Sequence, residues 1–451
     1  MTLDAAGYWP GVMIDDARWQ YQQAVENAFD DWHPPVMAWI WQRLMGLKPG
    51  PAPMLSLQLT LYWAGFALIG SWAWGRGRPG LGLALAAVGW IPASMALMGT
   101  VLKDGLMAGC LVTAVGLLLW HQDVRRRPAR LGLLIGALSA IALAAAMRFN
   151  AFLACAPLLV AAVPQQWVQT RARLAAVGLC AAMALLAIIP TINLLLDAEK
   201  TDVGLSLIIF DLGGITENSQ VDQFPEMGVK DPLAANRQCY DPHQWDGYSE
   251  WATKPCPLGF DRFRSAVQAQ QLNPTALWLR AIATHPLAYA WHRLAHFNVS
   301  TWFLVAGGPG APGWDRSVAN PWGYQVKPNG ILDGIGAVAA AASETPLGWP
   351  IFWISLALAS LILAAAARLP ILVQAVAASS FLFGLGYLLF GVATGMRYHI
   401  WTISGAGLAA MLAIGEMTNG RVAPSRSTVR LAAAVIAAPC TMALLARLLL
   451  R

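Results

Sequence analysis

The strongest constraint on this chain is a series of about ten apolar runs of about 15–23 residues, the length a helix needs to cross a bilayer. They lie near 54–74, 80–98, 104–120, 131–147, 149–165 and 174–196, then 347–367, 371–393, 398–416 and 431–450. Only helices and closed barrels satisfy their backbone inside lipid. These runs are continuously apolar, without the period-two alternation of a barrel strand. The expected fold is therefore an all-α polytopic membrane protein. Only 12% of residues are charged, against roughly 25% in a soluble domain. Several runs are short and rich in Gly and Ala, which suits close helix packing.

Charge sets the orientation. Alternate short connections carry Arg76 and Arg78; Arg125, Arg126, Arg127 and Arg130; Arg171 and Arg173; Arg368; and Arg421, Arg426 and Arg430. The positive-inside rule makes these five loops cytoplasmic. The net charge of +6 thus follows the loops and does not point to nucleic acid. The other short connections hold only Lys103-Asp104, Arg148, and Arg397 with His399. Residues 1–53 and the long polar stretch 197–346 then share the outer face, with 54–196 and 347–451 forming the membrane part. Those two outer segments contain 21 of the 24 acidic residues. The sparse charges on the same side are either interfacial anchors or a converging polar site; ionisable groups at membrane depth are costly and default to functional candidates.

The cysteines divide by environment. Cys110, Cys155, Cys180 and Cys440 lie in apolar runs and read as small buried residues. Cys239 and Cys256 lie in the polar loop, where a disulfide is expected if the loop faces an oxidising compartment. In the same loop, 275–305 reads as one amphipathic helix along the interface, with His292 and His296 four residues apart. That spacing can ligate zinc, but the Glu of the metalloprotease pattern is missing, and interfacial anchoring is the favoured reading. Gly, Pro and Trp between Gly307 and 330, including Pro309, Pro312 and Trp314, read as an ordered or mobile lid over the site rather than a linker.

The polar segment before the first apolar run holds the most chemistry. Asp15 and Asp16 are followed by Arg18, Trp19, Gln20 and Tyr21, then by Asp31-Trp32-His33-Pro34-Pro35. Paired carboxylates can serve as general base, electrostatic stabiliser or metal ligand, and close acids raise one another's pKa. Either could instead cap a helix, and Trp-His-Pro-Pro could simply start the next one.

Taken together, these motifs resemble integral-membrane glycosyltransferases of the GT-C class, which includes protein O-mannosyltransferases and aminoarabinose transferases. The likeness is to bacterial members whose first outer loop reads Pro-Gly-x-Met, an acid, Gln-Tyr and Asp-Trp-His-Pro-Pro. Here these are Pro10-Gly11-Val-Met13, Asp15-Asp16, Gln20-Tyr21 and Asp31-Trp32-His33-Pro34-Pro35. A Lys-Asp between helices, an Arg-x-Asn and a late Arg-Tyr are matched by Lys103-Asp104, Arg148-Phe-Asn150 and Arg397-Tyr398. The class has a helix before the acidic loop, so an upstream helix, eleven in all, is expected here.

The resemblance implies transfer of a sugar from a polyprenyl-phosphate donor to a glycan, lipid or protein acceptor at the outer face of the cell (inner) membrane. Asp16 would be the base, with Asp15 its neighbour or substitute. Lys103, Arg148 and Arg397 would meet the departing phosphate. Asp104, Asn150, Tyr398, His33, Trp32 and Tyr21 complete the expected substrate site. No resident metal is required, although paired acids work with or without a divalent ion. Three other readings compete: a transporter or flippase, an O-antigen ligase or polymerase, and a non-catalytic assembly protein. Transporters show inverted repeats and broken midplane helices, which are not evident here. The ligases concentrate their key Arg and His in the large loop.

Overall fold

Every apolar run folds as helix, and the lengths of those helices separate two groups. The computed structural model describes residues 1–308, 310, 312–419 and 423–450; Pro309 of the expected lid and Arg421 of the last basic loop lie outside them. Among the described residues seven helices are long and apolar enough to cross a membrane: Ala52–Gly75, Lys103–Asp123, Arg127–Ala145, Arg171–Leu195, Ile371–Phe390, Met396–Thr418 and Arg426–Leu449. Pro79–Trp90 and Pro92–Met98, bent by 56°, make an eighth if they form one span. Among the described residues there are no strands, only two isolated bridges.

Two of the ten expected spans are shorter as helices. Phe152–Ala162 has 11 residues, or roughly 16 Å against a hydrocarbon core of about 30 Å. It starts late because 148–151 forms a turn, with Ala151 N donating to Arg148 O at 3.0 Å. Pro350–Ala366 has 17 residues, preceded by a short 3-10 turn at Pro346–Gly348.

Burial identifies the centre of the bundle. The spanning windows of Lys103–Asp123 and Met396–Thr418 are 78% and 83% buried, against 17% in Arg171–Leu195 and 11% in Arg426–Leu449. The two innermost helices pack on each other, while the outermost present Leu179, Met183, Leu194 and Leu448 to the surroundings. At one end of the bundle Arg76 grips Asp123 through two hydrogen bonds, and Arg78 reaches Glu416 at 3.8 Å. The N-terminal ends of the two inner helices, with Lys103 and Arg397, lie at the opposite end.

The first fifty residues form three helices, Thr2–Tyr8, Asp15–Glu26 and Val36–Met45. A bridge ties Val12 to Thr100, with Val12 N on Gly99 O at 3.2 Å and Val101 N on Val12 O at 2.9 Å. Two glycines allow this close approach. Gly11 has φ +119°, where L side chains are strained, and a Cβ at Gly99 would overlap the Tyr8 ring. A second bridge joins Asp30 to Glu199, while the Asp31 carboxylate accepts from Thr201 N and Oγ1, both at 2.7 Å. Asp31 is thus a clamp on the start of the large loop.

The large loop is mostly helical and departs from expectation in two places. Its Gly330–Ser343 helix is apolar and packs on Thr2–Tyr8 and Pro92–Met98. The expected single helix over 275–305 is two, Pro274–Thr284 and Pro286–Ser300, broken at His285 before a proline. His292 and His296 are fully buried and do not anchor an interface. His292 Nε2 lies 3.1 Å from Asp211, His296 Nδ1 meets Pro242 O at 2.8 Å, and Arg293 pairs with Asp211 at 2.5 Å. Among the described residues no three potential ligands gather around this pair as a metal site. The apolar face predicted for the helix is instead carried by Leu287, Trp291 and Leu294, which are exposed. Cys239 and Cys256 form a disulfide, with Cα atoms 5.7 Å apart.

Candidate functional site

Local structure delivers each charged group to one place. Asp16 stands in the first turn of Asp15–Glu26, whose N-cap is Ile14, so neither acid caps the helix through its side chain. Lys103 opens its helix directly after the turn at Gly99–Leu102. Buried Gln58 satisfies that turn, donating to Met98 O and Thr100 O at 2.9 Å each and accepting from Leu102 N at 3.2 Å. Arg397 lies in the 3-10 turn Met396–His399 that leads into Ile400–Thr418. His33 follows Trp32, whose backbone N donates to Asp30 Oδ1 at 3.0 Å.

These groups converge on Asp16 Oδ2. Arg397 Nη1 lies 3.0 Å away, Lys103 Nζ 3.9 Å and His33 Nε2 3.9 Å. Lys103 Nζ also meets His33 Nδ1 at 2.5 Å. A protonated lysine can only donate, so Nδ1 accepts and the imidazole proton sits on Nε2, facing Asp16. A cavity of about 290 Å³ opens here, lined by Ile14, Asp15, Asp16, Thr394, Gly395 and Arg397 and closed by Trp314 and Val318. The segment carrying Trp314 is held down by Ser317, whose Oγ accepts from Met13 N at 3.0 Å, and by Val318 N on Met13 O at 2.9 Å. The expected lid is therefore an ordered strap.

Arg148 belongs to an adjoining group. It pairs with Asp104 rather than Asp16, and its Nε donates to Asn150 Oδ1 at 3.2 Å. The Tyr398 ring joins the two groups: both Arg148 and Arg397 lie 4.9 Å from its centroid, and Arg397 Nη2 donates to its hydroxyl at 3.0 Å. Tyr387, which the sequence did not single out, supports it by donating to Tyr398 O at 3.0 Å.

Burial pushes the Asp16 carboxyl up, but Arg397, His33 and Lys103 together pull it well below the usual carboxylate range. Burial and then Lys103 depress His33 to about 3, so the imidazole is neutral at ordinary pH. With His33 neutral, Arg397 and Lys103 hold Asp16 ionised. In direct contact, Lys103, Arg148 and Arg397 meet Asp16 and Asp104, one more cation than carboxylate among these five groups. Among the described residues Arg397 Nη1 has no well-formed hydrogen bond and Asp104 Oδ2 has no partner. The Arg397 N–H, poorly bonded to Asp16, is donor capacity that an anion could take up.

Three expected site residues stand elsewhere. Asp15 is exposed and pairs with Arg18 at 3.1 Å, so it reaches the cavity only as part of its wall and does not form a paired-acid centre with Asp16. Successive residues on a helix point about 100° apart. Tyr21 is a packing residue: its hydroxyl accepts from Gly50 N at 2.9 Å, and its ring meets Trp41 and Trp322. Trp32 turns away from its neighbour His33 to pack on Trp245, Trp251 and Phe260 of the large loop.

Thr394 and Gly395 were missed, and only their proximity to Arg397 signalled them; Trp314 and Val318 fall in the 307–330 segment expected as a lid. A wider cleft of about 820 Å³ near Trp9, Lys48, Tyr324 and Lys327 contains none of the Asp16 cluster. Size does not outweigh the convergence of charge at the smaller cavity. No family model matches the chain, and no curated protein or solved structure matches it.

Proposed function

We propose that this protein is a membrane glycosyltransferase of the GT-C type, moving a sugar from a polyprenyl-phosphate donor to an acceptor hydroxyl. The supporting observation is the Asp16–Arg397–Lys103 cluster, with its excess positive charge, at one end of the bundle. The proposed topology has ten crossings in the cell membrane, counting the bent pair and the two short helices, with the basic loops in the cytoplasm. It puts the site and the large loop on the outer face. A transporter site would favour the bilayer midplane, whereas these charges occupy helix ends.

In the reaction, the acceptor oxygen bonds to the anomeric carbon as the bond from that carbon to the phosphate oxygen breaks. Negative charge then grows on the leaving phosphate, where Arg397 and Lys103 stabilise it. Asp16 takes the acceptor proton. In the unliganded protein its carboxyl is too tightly paired to be a strong base. A donor phosphate that draws Arg397 and Lys103 to itself raises the basicity of Asp16 as it binds, so the base is activated when the donor is present.

The test uses the full chain in lipid nanodiscs with synthetic polyprenyl-phosphate sugars, following release of polyprenyl phosphate. Asp16→Asn should lower the rate by about 10²-fold or more. Undiminished release would remove Asp16 as the base.

A further inference from the structure

We propose that Trp251 and Asp246 of the large loop form a carbohydrate-binding subsite that presents an acceptor sugar to the Asp16 cavity. This rests on the glycosyltransferase reading and names its acceptor class as a glycan or glycoside with a neutral or cationic ring. Two anchors bring this part of the loop to the cavity wall. Trp245 N donates to Val392 O at 2.8 Å, just before the cavity residues Thr394 and Gly395. From the other side, Trp32, the residue before His33, packs on Trp245 and Trp251 with ring centroids 5.8 and 5.5 Å apart.

The aromatic geometry fits a sugar platform. Trp251 meets Trp32 at 86° and Trp245 at 90°, so two indoles fix its ring. It nevertheless remains 58% exposed. An indole already ordered by its neighbours and still open to water gives an apolar face at little further entropic cost. A pyranose or furanose stacks its C–H face on such a ring and needs a hydrogen-bond acceptor at its hydroxyl edge.

Asp246 supplies that acceptor. It is half-buried in the 3-10 turn Trp245–Tyr248. Burial raises its carboxyl; the Trp251 indole counteracts this, and the charges of Asp16 and then Arg397 also reach it. The turn that carries Asp246 is the one Trp245 N ties to Val392, two residues before the cavity residue Thr394. An ionised Asp246 at the hydroxyl edge disfavours a phosphate headgroup and suits an uncharged or amino sugar.

Saturation-transfer NMR on the full chain in nanodiscs tests this with methyl glycosides as probes: a hexopyranoside, a pentofuranoside and an amino-sugar glycoside. Transfer to ring protons of at least one probe is expected, weakened about fivefold in Trp251→Ala, as loss of one stacked aromatic contact predicts. Asp246→Asn should also weaken it, while Trp251→Phe should retain most of it and guards against simple misfolding. Equal transfer in wild type and Trp251→Ala, or no transfer from any probe, overturns the subsite. Undecaprenyl phosphate binding is measured on the same samples. Its retention with no glycoside binding defeats the subsite alone; glycoside binding without it defeats the glycosyltransferase reading and leaves a lectin-like site.

Discussion

Asp16 and Arg397, from opposite ends of the chain, meet at 3.0 Å, and their contact joins the N-terminal segment to the most buried helix of the bundle. The carboxylate occupies the cation that a phosphate would use. Removing it should therefore separate binding from catalysis. Asp16→Asn is expected to bind undecaprenyl phosphate more tightly, by about fivefold, while losing transfer; Arg397→Ala should bind it at least about tenfold more weakly, since charge-assisted contacts are the strong ones. Titration by thermophoresis reads both. Equal affinity in wild type and both variants would rule out this phosphate site.

The neighbouring Arg148–Asp104 pair yields a stability prediction. The Asp104 side chain is 2% exposed and that of Arg148 13%. Arg148→Ala strands the acid and should cost about 3–5 kcal/mol, the usual result of breaking a buried pair from one side. Asp104→Asn with Arg148→Ala should recover much of that loss, because no unpaired charge remains. Thermal unfolding in detergent, followed by thiol-reactive dye, compares the three variants. A double variant no better than Arg148→Ala would remove the pair as the source of the effect.

Much of this architecture was legible in the sequence because lipid leaves the backbone few alternatives. Continuous apolar runs gave helices at every expected place. Sparse charges between them identified Lys103, Arg148 and Arg397, which do lie at one end. Side-chain direction was less legible. Asp15 and Asp16 are adjacent in sequence, yet one pairs outward with Arg18 and the other inward with Arg397. Trp32 and His33 likewise part company. The contribution of 241–251 was hidden, since nothing in sequence distinguishes Asp246 from the other loop acids. Only the Trp245–Val392 hydrogen bond and the Trp32 stack reveal its place.

Acidification should weaken the site from the His33 side first. In the folded protein His33 stays neutral down to about 3, whereas its ordinary value is 6.5. Below about pH 6.5 the unfolded chain therefore binds a proton that the folded chain refuses, and stability falls as pH falls. Asp16, whose pKa is depressed, stabilises above the ordinary carboxylate range and loses that contribution only at lower pH. Between about pH 7 and about pH 5 the His33 contribution should reach up to about 2 kcal/mol; His292 and His296, also lowered by burial, add to the fall and Asp4, raised by burial, opposes it, so the difference from His33→Asn isolates the His33 share. His33→Asn keeps an acceptor for Lys103 but does not titrate. The unfolding temperature of wild type should drop more than that of His33→Asn over this interval; parallel slopes would remove His33 as the sensor.

The Cys239–Cys256 disulfide encloses Trp245, Asp246 and Trp251, so its loss should be felt at the proposed sugar platform. The bridged residues are 17 apart, a loop whose closure is worth about 3 kcal/mol on chain-entropy grounds. Tyr248 inside the loop remains tied by its hydroxyl to Asn236 Oδ1 at 2.6 Å, and Trp245 N remains tied to Val392. The bridge-free variant Cys239→Ser/Cys256→Ser should therefore keep the bundle folded while the loop alone loosens. Hydrogen exchange is expected to rise about tenfold or more across 240–255, consistent with part of the closure energy, and to stay unchanged in Lys103–Asp123. Non-reducing peptide mapping of wild type should recover the two cysteines in one linked fragment. Two free thiols there, or exchange across 240–255 unaltered by the substitutions, would mean that the bridge does not hold this loop.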